Sequence, residues 1–165
     1  MNSILNALLT TIALSAATFV ASAADDKATG TFTVNGATTK VSYAYAREVP
    51  SFFDKGKKDV EIILTDVALD AKAQRDSFAR IEMAKTGKLH AFELTVNSEG
   101  KPVSTSWRHN GFKPVSPSGL SSDDVFVART FDKQTVDASY KAAKPREFFG
   151  NAYDFDVTFR AAITK

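Results

Sequence analysis

Lys88-Leu89-His90-Ala91-Phe92-Glu93-Leu94-Thr95-Val96, followed after a turn by Val103-Ser104-Thr105-Ser106-Trp107-Arg108-His109, is the stretch on which the fold turns. In its first half the even positions are His, Phe, Leu and Val; in its second half the odd positions are Val, Thr, Trp and His. A period of two is the signature of strands. Asn97-Ser98-Glu99-Gly100-Lys101-Pro102 between them is a turn cluster. A loop of even length pairs Val96 with Val103, Leu94 with Thr105, Phe92 with Trp107 and His90 with His109. A three-residue loop would slip the register by one and set apolar residues against polar ones, so the first register is expected. One face of this hairpin then holds an aromatic pair and a histidine pair.

Upstream, Thr29-Gly30-Thr31-Phe32-Thr33-Val34 leads through Asn35-Gly36 into Ala37 to Ala46. Asn-Gly between alternating segments signals a two-residue hairpin turn. That turn assigns Phe32, Val34, Ala37, Val41, Tyr43 and Tyr45 to one face. Asp59 to Thr65 is the next strand, and Ile63 breaks its alternation, which calls for a cover on the outer side. The cover is expected in the segment around 70–85. Asp70 reads as an N-cap there, and Ser77 to Ala84 is taken as helix although Ala79, Ile81 and Met83 also alternate as in a strand.

Downstream, Asn110 to Ser122 is a long irregular loop, of the kind that more often carries function. Val125 to Phe131 and Thr135 to Tyr140 form another hairpin, expected to pair Phe131 with Val136, Arg129 with Ala138 and Val127 with Tyr140. This leaves Arg129 on an apolar face. After Ala143 to Gly150, the chain closes on Tyr153, Phe155, Val157, Phe159, Ala161 and Ile163 alternating with mostly polar residues. Such a strand has one buried and one wet face. The whole predicts an all-β, mainly antiparallel fold: a meander of about eight strands closed as a small barrel, with one short helical segment around 70–85. A two-sheet β-sandwich is the alternative. The barrel is preferred because the first and last strands could pair and remove open edges.

The chain begins with an apolar run from Ile4 to Val20 that ends at Ala21-Ser22-Ala23-Ala24, before the first charges at Asp25 and Asp26. This reads as a secretory signal peptide over residues 1–23, although no Lys or Arg precedes the run. Residues 24–165 then form a single domain, periplasmic or secreted, with no stable membrane anchor after cleavage. The chain has no cysteine, which excludes disulfides, thiol catalysis and thiolate metal sites. Its 21 basic and 19 acidic residues leave a formal charge of +2, and this balance gives no reason to expect nucleic acid or an anionic membrane surface.

His90 opposite His109 could reach one zinc or copper ion, but no spacing names a third ligand, so no metal or other cofactor is expected. Arg129 needs an interior acid or phenol, or an anionic ligand. Tyr43, Tyr45, Tyr140, Tyr153 and Trp107 would join it in an interior cavity with polar handles. The Phe52-Phe53 and Phe148-Phe149 loops are expected to fold over the barrel ends as plugs. Nucleophile and phosphate-loop motifs are missing, so the expectation is not an enzyme. The leading expectation is an exported barrel that binds a small, largely apolar, neutral or anionic ligand inside its mouth through His90, Phe92, Trp107, His109, Arg129, Tyr43, Tyr45 and Tyr140. The competing one is an envelope protein-interaction or inhibitor module that meets a protein partner with the 112–122 loop and the Phe-pair loops.

Overall fold

The computed structural model describes residues 26–165; the expected signal peptide and its cleavage site lie outside them. β1 (Lys27–Val34) and β2 (Ala37–Pro50) form the first hairpin. Asn35 and Gly36 take φ of +50° and +82°, the left-handed pair that a type I′ turn requires. Phe32 faces Thr39 and Val34 faces Ala37, as the turn dictates. β3 (Lys58–Thr65) pairs β2. Two helices follow, α1 (Ala71–Arg75) and α2 (Ser77–Lys85), with the Asp70 carboxylate capping α1 through a 2.7 Å bond from Ala73 N–H.

β4 (Ala91–Val96) and β5 (Pro102–Arg108) carry the register that parity demands: Phe92 faces Trp107 and Leu94 faces Thr105. Beside the turn the register shifts, and Val96 faces Pro102 instead of Val103. β6 (Val125–Phe131), β7 (Thr135–Lys141), the short β8 (Arg146–Phe148) and β9 (Asn151–Thr164) complete the chain.

All nine strands belong to one sheet, in the order β5-β4-β3-β2-β1-β9-β7-β6, with β8 against the start of β9. This is a curled half-barrel and not two stacked sheets. The first and last strands pair antiparallel from Lys27 opposite Arg160 to Val34 opposite Tyr153, so the chain ends zip the middle of the sheet. The edges fall at β5 and β6. Part of the 110–122 loop covers the β5 edge, with Trp107 N–H donating to Pro117 O at 3.0 Å and Gly119 N–H to Thr105 O at 2.9 Å. Side chains span the seam that remains: the Tyr140 hydroxyl lies 3.0 Å from Thr105 Oγ1 and donates to Asp124 Oδ2 at 3.2 Å.

Two bulges overturn expected placements. Between Lys27 and Gly30, β1 holds one residue more than β2, which resets parity along β2. Ala44 and Ala46 therefore point inward, while Tyr43 is exposed and Tyr45 packs on the outer side, where its hydroxyl accepts the Leu69 N–H at 2.9 Å. The second bulge falls at Arg129, because Ala128 faces Ala138 and Thr130 faces Asp137. Arg129 is thereby turned outward, where its Nε–H donates to Asp137 Oδ1 at 2.8 Å. It needs no interior partner.

The outer face of β3 is covered as Ile63 required: Ile63, Leu69, Ala73, Leu89 and Ala91 form a second, smaller core. Beneath the helices lies a buried charge network. Arg80, fully buried, donates to Glu93 Oε1 at 2.7 Å, to Glu61 Oε1 at 3.3 Å and to Ala73 O at 2.8 Å. Arg108 donates to Glu93 Oε2 at 2.7 Å and to Ser116 Oγ at 2.6 Å.

The main core is solid. Phe32, Phe92, Tyr140 and Phe155 meet from four different strands, with ring centroids 5.6 Å apart for Phe32 and Phe92, 5.3 Å for Phe92 and Phe155, and 4.8 Å for Tyr140 and Phe155. Aromatic rings at these separations are in contact. The sheet thus closes on its own side chains, as small barrels commonly do.

Candidate functional site

The parity of β4 and β5 brings the two histidines together at the end of their hairpin, with ring centroids 4.3 Å apart. His90 is held by Asp66, which accepts its backbone N–H at 2.8 Å on one oxygen and lies 2.8 Å from Nδ1 on the other; its Nε2 lies 3.3 Å from Asn110 Oδ1. His109 is buried against Phe32 and Phe112. Its Nδ1 accepts the Gly111 N–H at 2.9 Å, so the ring proton sits on Nε2, which is buried and without a partner among the described residues. Among those residues no group of three or more His, Asp or Glu could hold a metal ion. The two rings pack on each other at the end of the hairpin.

Burial, reinforced by the neighbouring His90 and opposed by Asp66, depresses the His109 pKa to about 4. The unfolded chain takes up this proton near pH 6.5 and the folded chain does not. Stability is therefore present above pH 6.5 and falls as pH drops toward 4, by about 3 kcal/mol from this residue. Asparagine at 109 keeps an oxygen for Gly111 but cannot titrate. Urea unfolding at pH 7 and pH 4 is expected to show a smaller loss for His109→Asn than for wild type; equal losses would contradict the assignment.

The other inward residues of the hairpin converge elsewhere. Trp107, 2 % exposed, stacks on Tyr153 at 5.0 Å and Phe148 at 5.8 Å. Together with Gly119, Leu120, Ser121, Lys144 and Arg146 these rings line a cleft of about 390 Å³ on the seam side of the half-barrel. Its size is that of a small-molecule site. Three strands and two loops build it: β5 supplies Trp107, β8 supplies Arg146 and Phe148, β9 supplies Tyr153, the covering loop supplies Gly119 to Ser121, and the β7–β8 connection supplies Lys144. A side chain at Gly119 would start in van der Waals contact with both rings, 3.8 Å from Trp107 and 3.7 Å from Phe148.

Polar groups at the cleft are incompletely satisfied. The Trp107 indole N–H and Arg146 Nε are buried with no hydrogen-bond partner among the described residues. Arg146 Nη1 donates to Ser121 Oγ, and Nη2 lies 2.7 Å from Asp124 Oδ1, a close ion contact whose angles do not make a hydrogen bond. Burial pushes the Asp124 carboxyl up, while Arg146 opposes that shift. Buried donors without acceptors are uncommon in folded proteins.

Of the residues singled out in the sequence, the structure gathers Phe92, Trp107, His109 and Tyr140 in the interior with His90 at its edge, and sends Tyr43, Tyr45 and Arg129 outside. Trp107 alone of that set lines the seam cleft. Tyr153, expected inside, and Phe148, expected in a plugging loop, join it there, and Arg146 joins without having been singled out. Three of the four rings plug nothing, with Phe52 89 %, Phe53 71 % and Phe149 75 % exposed, whereas Phe148 packs on Trp107 against the core. They also lie at opposite ends of the sheet, because Phe52 and Phe53 follow the end of β2 whereas Phe149 precedes β9, whose first residues pair with the end of β1 beside the β1–β2 turn. They do not combine into one docking face.

Fold and cleft together define a curled β half-barrel with a filled interior and an aromatic cleft at its seam. No family model, curated protein or solved structure matches the chain.

Proposed function

We propose that the chain is an exported, non-enzymatic binding protein that takes a small, largely apolar acid in the seam cleft. The observation that carries this reading is the coincidence of three aromatic walls with the Lys144 and Arg146 cations on one cleft. A carboxylate placed there would meet positive charge from Lys144 and Arg146 while its apolar body lies on Trp107, Phe148 and Tyr153. The solid core supports the seam and argues against the interior, which offers a ligand no room beside Phe92, Tyr140 and Phe155.

Native mass spectrometry of the exported protein tests the proposal, first as purified and then after incubation with decanoate. A one-to-one adduct is expected. Removing the guanidinium with Arg146→Gln is expected to weaken decanoate binding tenfold or more, since hydrogen bonds to charged groups contribute about 1.5–3 kcal/mol. Equal adduct formation by wild type and Arg146→Gln would overturn the assignment.

A further inference from the structure

Strand parity divides the charges around the β2–β3 tip between two faces. The tip and its stems carry Lys55, Lys57 and Lys58 against Glu48, Asp54 and Asp59, so the segment as a whole is balanced. Along β3, Val60, Ile62 and Leu64 enter the main core while Ile63 lies in the outer one. Lys58 therefore shares the inner side and Asp59 the outer side. Along β2 the same alternation sends Glu48 inward and Val49, which faces Asp59 in register, outward. Two clefts flank the hairpin and follow this division. Glu48, Lys57 and Lys58 line the inner one, whereas Asp59 is the single charged residue lining the outer one, of about 410 Å³.

Asp59 is 3 % exposed, yet its side chain makes no hydrogen bond or ion pair among the described residues. Neither carboxylate oxygen is sealed off, and the group opens onto the outer cleft. Lys57 is near enough to feel the charge of Asp59, but its ammonium is held by Asp54 at 2.8 Å. A carboxylate this deeply buried is ordinarily paired. Here the partner's place is the cleft itself.

The other walls suit the same kind of guest. Thr95 and Ser104, opposite each other on β4 and β5, contribute hydroxyls that make no hydrogen bond among the described residues. Pro50, Phe52 and Phe53 stand across from them, the two rings edge-to-face with centroids 5.2 Å apart. An ammonium head is all donor and meets acceptors in Asp59 and the two hydroxyls. Aromatic rings attract the same charge and cover an apolar body. An anion would be repelled by Asp59, and a neutral apolar guest would bury that carboxylate further without a partner.

We propose that this outer cleft binds an organic ammonium ion, with the charged head on Asp59 and the apolar body between the sheet and the Phe52-Phe53 rings. It shares no residue with the seam cleft.

The test is calorimetric titration of the exported protein with phenethylammonium, and separately with phenethyl alcohol, which keeps the body and lacks the charge. Saturable binding of phenethylammonium is expected, with the alcohol weaker by about tenfold or more. Asp59→Asn keeps the shape of the side chain and is expected to lower affinity for the amine by about tenfold or more. Its melting temperature is expected to be unchanged or raised, because an unpaired buried carboxylate is removed. Phe52→Ser with Phe53→Ser is expected to weaken the amine severalfold at an unchanged melting temperature, since both rings are already exposed. The comparison of amine with alcohol needs only the wild-type protein and so stands whatever the variants do. No saturable binding of phenethylammonium, equal affinity for the amine and the alcohol, or equal affinity of wild type and Asp59→Asn would each overturn the proposal.

Discussion

Replacing Glu93 with alanine is expected to lower the unfolding free energy by about 3–5 kcal/mol, since it leaves two buried guanidinium groups without their shared counter-charge. Glu93 spends one carboxylate oxygen on Arg80 and the other on Arg108, both at 2.7 Å. Arg80 keeps Glu61 at 3.3 Å and the Ala73 carbonyl, but Arg108 keeps only Ser116 and the carbonyl of Trp107. Burial already pulls the Arg108 guanidinium below its ordinary pKa, and Glu93 is the largest influence opposing it. A domain of this size holds about 5–15 kcal/mol in total, so the loss is a large share of its stability. Denaturant unfolding of Glu93→Ala checks this. A loss under about 1 kcal/mol would show that water reaches the two arginines and that the helices do not seal the network. The double change Arg108→Met with Glu93→Met removes the arginine that loses its only acid partner and is expected to recover part of the loss, because Arg80 keeps Glu61.

Gly30→Ala is expected to be at least as damaging. Gly30 sits at φ +149° in the strand between β2 and β9, and a methyl group there would lie 2.0 Å from the Asp156 carbonyl oxygen and 2.7 Å from Val157 Cα. Both obstacles are backbone, so no side chain can swing aside, and β1 must part from β9 to admit the methyl. That pairing joins the two halves of the sheet. Costs above about 4 kcal/mol arise from few mechanisms, and forced strain at a special backbone position is one of them. The variant is expected to lack a cooperative thermal transition by far-ultraviolet circular dichroism. A soluble Gly30→Ala protein melting within about 2 °C of wild type would contradict this account of the strand.

Gly30 also marks the limit of what could be read from the chain. Parity carried the β4–β5 hairpin, because Phe92, Leu94, Thr105 and Trp107 leave a single register that sets apolar against apolar. Turn chemistry and parity agreed at Asn35-Gly36. A bulge moves every later side chain to the other face without any change in composition. Past the Gly30 bulge, Tyr43 and Tyr45 compete with Ala44 and Ala46 for the inside, and tyrosine tolerates the outside because its hydroxyl can be wet. A glycine inside an alternating strand was the available sign. At Arg129 the sign was the charge itself: a bulge turns an unpartnered arginine outward more cheaply than the core can accept it.

The buried network and the cleft were harder to see. Phe78, apolar, is 77 % exposed on α2, whereas Arg80 two residues on is fully buried, so the helix reads with its polarity inverted. Ile63 announced a covered outer face, and a covered face obliges Glu93 and Arg108 to find partners there. That inference needed only strand parity. The seam cleft depends on which loop lies along the β5 edge, a long-range arrangement between Gly119 and Thr105 that no local pattern encodes. Trp107 was legible as an inward residue; its neighbours Phe148, Tyr153 and Arg146 came from the last two strands.

Trp107 is the only tryptophan in the chain, so its fluorescence reports directly on the cleft. Titration with decanoate is expected to change the emission saturably in wild type. The Gly119→Leu variant, whose side chain would grow into the gap beside Trp107 and Phe148, is expected to keep its fold and lose the response. A saturable response of equal affinity in Gly119→Leu, or none in wild type, would contradict ligand binding at the seam.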